Sequence, residues 1–574
     1  MEDTTDTSGA RTAEIAANAP RYRRRSSTFI DGIHDVPEDQ DMAPAQLYST
    51  MSGRLFHSGR IAIVMVGPPA RGKTHICVSM ARYLQWLGVK TRVFHLGDYR
   101  RATVGPGGAV PEDYFFPNAS PQSVILRQKI LKKCREDIYA WLNHENGQVA
   151  IYDAVNPTAS GRQSLAKEFA KHDVQTLFIE SYVNDERILR ENARNVKISS
   201  PDFAGMDPDK AAELYLKRIE NKIPMFETME EKELNYIKMI NAGTKFFYNN
   251  VSFNYLSHRI VFYLTNLHIK SRTTFFARAG PAADEEEHYK SDAPLSDQGK
   301  IYSQKMAETL IKHREQKSAE LMGNGRAQVP LPPLSVWTST RLKTVQTAEI
   351  FKDEGYKVRQ RSQMSQINPG ACEGMSERMI RQIYPEEVEK HELDPYHHRY
   401  PRAESYHDLA VRLEPIILEL EREQNDLLII AHESVLRVLY AYLMHCSTMD
   451  IPLLKFPRNE IIEITPAAYQ NEAKRIHIPG LDSETPSGSP DDLKLSSIPP
   501  SGVASGVASG VTSGVASGVA SGVASGVASG VASGQMSPVP GGLSSPAEPV
   551  ADRPPEKVVN TAKDMVADKL HDED

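Results

Sequence analysis

The chain has 574 residues, with 67 Lys+Arg against 74 Asp+Glu and a formal net charge of −7, and this mixed balance offers no broad basic field, so nucleic acid is not an expected partner. Its four cysteines, Cys77, Cys134, Cys372 and Cys446, lie far apart without CxxC spacing, which points to reduced thiols rather than disulfides or zinc. With no apolar run of the ~18 residues a membrane span needs and no signal-peptide core, the expectation is a cytoplasmic enzyme with no membrane partner and room for several domains of ~100–200 residues.

Residues 1–57 read as a polar, disordered arm. Within it Arg23, Arg24 and Arg25 precede Ser26 and Ser27. That is the setting a basophilic kinase uses, and phosphorylation there would place negative charge among arginines. A plain solvated basic patch is the other reading.

Residues 58–268 read as an α/β domain with a parallel sheet. The apolar run Ile61 to Val66 enters Gly67, Pro68, Pro69, Ala70, Arg71, Gly72, Lys73 and Thr74, which is G-x-x-x-x-G-K-[ST], and a helical pattern from His75 to Leu87 follows. In such a P-loop the backbone N–H groups cradle nucleotide phosphates, Lys73 would neutralise their charge and Thr74 would hold Mg²⁺. ATP or GTP binding is therefore expected. Further strands are expected at Thr91 to His95, Val149 to Tyr152 and Gln175 to Ile179. Asp153 ends the third of these four strands, where a carboxylate can hold Mg²⁺ or position an acceptor hydroxyl; a helix-capping aspartate is the alternative. Arg194 and Lys197 could add positive charge to an anionic transition state, or form a solvated helix face.

Residues 269–470 show a second α/β alternation, with strands expected at Thr273 to Ala277, Ser335 to Thr338 and Leu427 to Ala431. Residues 471–574 read as a disordered tail. It holds a Ser-Gly-Val-Ala array from Ser501 to Gly534, interrupted at Thr512, which buries too little per residue to offset chain entropy. Glu556 to Leu570 spaces Val559, Ala562, Val566 and Leu570 like a helix face, so this end is either disordered or a short docking helix.

Taken together, Gly67 to Thr74, Arg92-Val93-Phe94, Gly97-Asp98-Tyr99-Arg100-Arg101, Asp153-Ala154, Phe178 to Ser181, Asn192 to Lys197, Ser200-Pro201-Asp202 and Arg218-Ile219-Glu220 resemble the 6-phosphofructo-2-kinase/fructose-2,6-bisphosphatase family, over about residues 55 to 470. The resemblance implies an N-terminal domain that transfers the ATP γ-phosphoryl group to the 2-hydroxyl of fructose 6-phosphate. It implies ATP contacts at the P-loop and at Asn192, Arg194 and Lys197, catalytic roles for Asp153, Lys73 and Lys197, and sugar-phosphate contacts at Arg100, Arg101, Lys197 and Arg218. It also implies a homodimer through the kinase domains. The chain departs from the family pattern at Pro117, Val155, Gly161 and Lys222. Arg162, next to Gly161, is a candidate substitute for a missing phosphate contact, each such contact being worth roughly 1.5–3 kcal/mol.

The second domain resembles a histidine phosphatase with a phosphoglycerate-mutase-like fold, whose signature Arg-His-Gly reads Arg278-Ala279-Gly280 here. A methyl group cannot carry a phosphoryl intermediate, so no bisphosphatase activity is expected. Arg278, Glu373, His432 and Arg437 stand at family positions, Lys343 replaces a phosphate-binding arginine, and Glu433 replaces a glutamine. The expectation is a 6-phosphofructo-2-kinase without the opposing hydrolase. The alternatives are a nucleotide-binding regulatory protein without turnover and a kinase for another phosphorylated acceptor.

Overall fold

Strands buried on both faces need apolar residues at every position, and Ile61–Val66, buried throughout, is such a strand. The computed structural model describes residues 43–46, 60–104, 111–115, 118–189, 192–193, 216, 226–251, 254–269, 272–282, 292–323, 331–467 and 469–481. Ser26, Ser27, Pro117, Arg194, Lys197, Arg218, Lys222, the repeat array and the segment 556–570 lie outside these residues.

The first sheet contains β1 (Ile61–Val66), β2 (Thr91–His95), β3 (Val149–Asp153), β4 (Gln175–Tyr182), β5 (Tyr236–Ile240) and β6 (Lys245–Asn249), in the order β2-β3-β1-β4-β5-β6. Its first five strands are parallel, and β6 returns antiparallel along β5. The second sheet contains β7 (Thr274–Arg278), β8 (Leu334–Thr338), β9 (Lys357–Gln360), β10 (Asp426–Ala431), β11 (Glu460–Thr465) and β12 (Glu472–His477), in the order β12-β11-β7-β10-β8-β9. Strands β7 to β10 are parallel, whereas β11 and β12 run antiparallel to their neighbours. Two α/β domains with largely parallel sheets result, as the alternation of strand and helix patterns suggests. No helix among the described residues is long and apolar enough to cross a membrane.

Two features correct the sequence reading. The second sheet does not close near residue 470, because β12 pairs with β11 from Glu472 to His477. Its sequence, EAKRIH, is a charged, exposed edge strand and carries no apolar run to announce it. The β5–β6 hairpin was also not expected; its turn places Asn241, Ala242 and Gly243 at φ of 45°, 57° and 92°.

The two domains share one apolar core. Ile76, Met80 and Leu84 of helix Lys73–Trp86 and Ile260 and Leu264 of helix Tyr255–Asn266 belong to the same buried cluster as Ile416 and Leu420 of helix Glu414–Arg422 and Leu436 and Leu439 of helix Glu433–Met444. Polar contacts pin this junction. Arg82 pairs with Glu421 at 2.6 Å, Tyr442 donates to the same carboxylate, Tyr83 donates to Glu414 at 2.9 Å, and Arg259 also bonds Glu414.

Candidate active site

In the first sheet, β1 lies between β3 and β4, so the loop leaving its C-terminal end opens where crossovers to either side diverge. That loop needs unusual backbone angles: φ is 135° at Gly67, 60° at Ala70 and 79° at Gly72. Gly67 is also fixed by space, since a Cβ there would stand 2.7 Å from the Ser181 carbonyl oxygen at the end of β4. The Gly67 N–H donates to Val155 O at 3.0 Å, and Asn192 Nδ2 donates to Ala70 O at 3.2 Å. P-loop backbone, β3 loop and Asn192 thus form one assembly.

Lys73 is buried and its Nζ donates to Pro68 O at 2.7 Å. Desolvation pulls its pKa down from 10.5 to about 8 despite the attraction of Asp153. Thr74 Oγ1 donates to Asp153 Oδ2 at 2.7 Å, and His95 Nδ1 lies 2.8 Å from the same oxygen. The His95 contact follows from register, because His95 and Asp153 are paired residues of β2 and β3. Burial works against the Asp153 carboxylate, but the bond and charge of His95, with Lys73 and Thr74, outweigh it and hold the carboxyl below its ordinary value. The result is a hydroxyl and an ionised carboxylate side by side at the foot of the P-loop. Both are hard oxygen donors of the kind Mg²⁺ takes while keeping waters and phosphate oxygens.

Arg100 and Arg101 lie on helix Leu96–Val104, which Tyr99 ties to helix Pro121–His144 through Asp137 at 2.9 Å. Arg101 bonds Asp98 and Tyr469. Burial opposes its charge, but Tyr469 and Asp98 more than compensate, and its pKa is held above the ordinary value. Tyr469 also meets His95 edge-on, with ring centroids 5.3 Å apart. It comes from the turn between β11 and β12, so the second domain supplies a side chain beside Arg101, His95 and Asp153. Sequence reasoning missed both His95 and Tyr469; the strand-end position of His95 next to that of Asp153 was the available signal, whereas nothing in the order of residues brings Tyr469 there.

Arg162 corrects an expectation. It is completely buried, pairs through Nε with Glu231 at 2.7 Å, and gives Nη1 to Asn156 O, Pro157 O and Glu227 O at 2.9–3.1 Å. A guanidinium saturated by internal acceptors is a structural clamp and does not replace a phosphate contact at Gly161.

In the second sheet the C-terminal ends of β7 and β10 are in register, with Ala431 opposite Arg278. Ala279, 1% exposed, donates its N–H to Ala431 O at 3.0 Å. His432 follows β10, and Lys343 is the second residue of helix Leu342–Asp353 after β8; both are buried. Arg278, Ala279, Lys343, His432 and Arg437 line one cavity of about 800 Å³, together with Arg458, whose Nε donates to Ala279 O at 3.0 Å. Glu373 stands exposed just beyond the lining Cys372 and is not brought into that cavity. Arg458 was missed because its loop carries no recognisable pattern.

Residues 48–271 match the model of 6-phosphofructo-2-kinase and residues 274–479 that of the histidine phosphatase superfamily, branch 1. The chain is 39% identical over 462 residues to YLR345W, a Saccharomyces cerevisiae protein named for this pair of activities, covering 78% of this chain and 89% of that protein. It is 36% identical over 449 residues to 6-phosphofructo-2-kinase/fructose-2,6-bisphosphatase 1 of Homo sapiens, covering 77% and 90%. To 6-phosphofructo-2-kinase/fructose-2,6-bisphosphatase 3 of Rattus norvegicus it is 36% identical over 426 residues, covering 72% of each. With a kinase domain built on an intact P-loop, a histidine-phosphatase domain behind it, and likeness running through both, the chain belongs to the 6-phosphofructo-2-kinase/fructose-2,6-bisphosphatase family.

Proposed function

We propose that this protein is a one-way 6-phosphofructo-2-kinase: it makes fructose 2,6-bisphosphate from ATP and fructose 6-phosphate and does not hydrolyse it. The observation that carries the kinase reading is the Thr74–Asp153 contact of 2.7 Å beside buried Lys73. Lys73 would hold the β- and γ-phosphates and, with Lys197, offset charge as the γ-phosphoryl group moves. Asp153 would accept the proton of the sugar 2-hydroxyl, oriented by His95. Thr74 and Asp153 would hold Mg²⁺, which when bound neutralises phosphate charge. Asn192 would keep the loop closed through Ala70, while Arg101, Lys197 and Arg218 would hold the 6-phosphate.

The one-way reading rests on Ala279. It follows Arg278, the last residue of β7, and lines the cavity with Arg278, His432 and Arg437; the family resemblance implies a nucleophilic histidine at this position. A methyl group can neither attack phosphorus nor store the phosphoryl group. We also propose that two copies pair through the edge strand β6, which leaves Phe247 58% and Tyr248 45% exposed; light-scattering mass tests this.

Arg162 favours a second reading, a kinase for another phosphorylated acceptor. Because its guanidinium is committed to Glu231 and three carbonyls, the fructose 6-phosphate cage is thinner than the family resemblance implies. Turnover of Mg·ATP with fructose 6-phosphate, scored for an acid-labile bisphosphate with Asp153→Ala as the blank, separates the two. Product absent from the blank supports the first reading. No product, but ATP consumption with a different sugar phosphate, would replace it with the second.

A further inference from the structure

The cavity of the second domain contains a carboxylate where its chemistry calls for a ligand anion. Glu433, the first residue of helix Glu433–Met444, lines that cavity between two guanidiniums. Its Oε1 lies 3.0 Å from Arg437 Nη2, its Oε2 lies 3.4 Å from Arg278 Nη2, and the Phe456 N–H also donates to Oε1 at 3.3 Å. One carboxylate thereby takes two cations and a backbone donor, as a bound phosphate would. The remaining donors of Arg437 are turned to the protein as well: Nε bonds Leu454 O at 2.6 Å and Nη1 bonds the Tyr406 hydroxyl at 2.7 Å.

The other carboxylates of the lining do not act in this way. Glu392 pairs with Arg381 at 3.0 Å and Glu404 with Arg412 at 2.8 Å, and neither arginine faces the cavity. Glu433 alone among the described lining carboxylates is paired with cations of the lining itself. The helix N-terminus adds a favourable dipole at this carboxylate.

We propose that Glu433 is a built-in counter-anion that occupies the phosphate-binding face of this cavity and determines its specificity, excluding phosphate dianions. This rests on reading the cavity as a phosphatase pocket without its nucleophile. An incoming phosphate must displace Glu433 from Arg278 and Arg437 and then sit beside an ionised carboxylate whose partners it has taken, in a partly buried site where like charges repel strongly. The loss of hydrolysis then has a companion: the chain neither cleaves nor retains the phosphorylated product of its own kinase domain. Glu433 is on this account a specificity-determining residue of the second site and has no part in the first.

The test uses the full chain with the P-loop filled by a non-hydrolysable ATP analogue and Mg²⁺, titrated with inorganic phosphate by calorimetry. The expected result is weak binding to the unaltered chain, at least tenfold tighter binding to Glu433→Gln, and loss of that gain in Glu433→Gln/Arg278→Ala, with thermal unfolding verifying that each variant is folded. Glu433→Asp, which shortens the carboxylate while keeping its charge, is expected to stay weak. Equal phosphate affinity for the unaltered chain and Glu433→Gln would overturn the proposal. A parallel assay of phosphate release from fructose 2,6-bisphosphate separates the two ideas: release by the unaltered chain would overturn both, whereas no release with unchanged affinity would overturn only the role of Glu433.

Discussion

Lys73 should make the empty protein less stable than it need be, and replacing it by methionine exposes the trade between folding and nucleotide binding. Burial lowers the Lys73 pKa from 10.5 to about 8, and at ~1.36 kcal/mol for each pH unit the buried ammonium costs about 3 kcal/mol at pH 7. Lys73→Met removes that cost, fills the same volume, and forfeits the 2.7 Å bond to Pro68 O, a loss of ~1 kcal/mol. A net gain of about 2 kcal/mol remains, which for a domain of this size raises Tm by roughly 4–8 °C. The sign with pH follows from linkage. Between pH 8 and 10.5 the unfolded chain holds a proton that the folded lysine has released, so the penalty is full below about pH 8 and is relieved above it. Thermal unfolding without nucleotide should therefore show the variant ahead at pH 7 and the gap narrowing by pH 9.5, while calorimetry shows ATP affinity lost. A variant that melts at or below the wild-type temperature at pH 7, or a gap constant with pH, would refute the reasoning.

Gly67→Ala forces a side chain into φ 135° and a 2.7 Å approach to Ser181 O; we expect ~1–3 kcal/mol of lost stability and weaker ATP binding, measured by denaturant titration and calorimetry. Glu421→Ala strands Arg82 and the Tyr442 hydroxyl at the domain junction and should cost about 3–5 kcal/mol, with Arg82→Met in the same chain recovering much of it in urea unfolding. Tyr469→Phe removes the hydroxyl that bonds Arg101. The KM for the sugar phosphate should rise severalfold, on the order of 1 kcal/mol, with the KM for ATP little changed, although the mutation lies in the other domain.

The elements legible in the sequence are those with one dominant signal. Strands β1 and β10, buried at every position, read as apolar runs, and the P-loop reads from its glycines and Lys73 because a phosphate cradle tolerates few alternatives at φ values of 79° and 135°. Asp153 was legible by position, as a carboxylate at a strand end. What failed depended on contacts between distant segments. Arg162 and Gly161 are neighbours in the chain, yet Arg162 points into Glu231 and the 227–228 backbone, which only the path of residues 226–231 decides. Strand β12 is exposed and charged and is held by hydrogen bonds to β11, so hydropathy carries no trace of it. Glu373 keeps the residue type of an acid but stands exposed beyond the cavity.

The position of Tyr469 bears on why the second domain would persist if, as proposed, it does not hydrolyse the product. Were the second domain only a hydrolase, losing hydrolysis would leave it without a role and free to be lost. Its removal would instead strip Leu436 and Leu439 from a core shared with helix Lys73–Trp86, the helix that begins at the P-loop lysine. It would take Glu421 from Arg82 and Tyr469 from Arg101 and His95. The loss of Tyr469 reaches Arg101 and His95 directly, and the other two act through the helix that begins at Lys73. Selection for kinase activity alone is then sufficient to keep the second domain folded, while placing no demand on the chemistry at β7. If the one-way reading proposed above holds, substitution confined to Ala279, Lys343 and Glu433, all in one cavity, beside close packing at the domain junction, is the pattern this constraint produces.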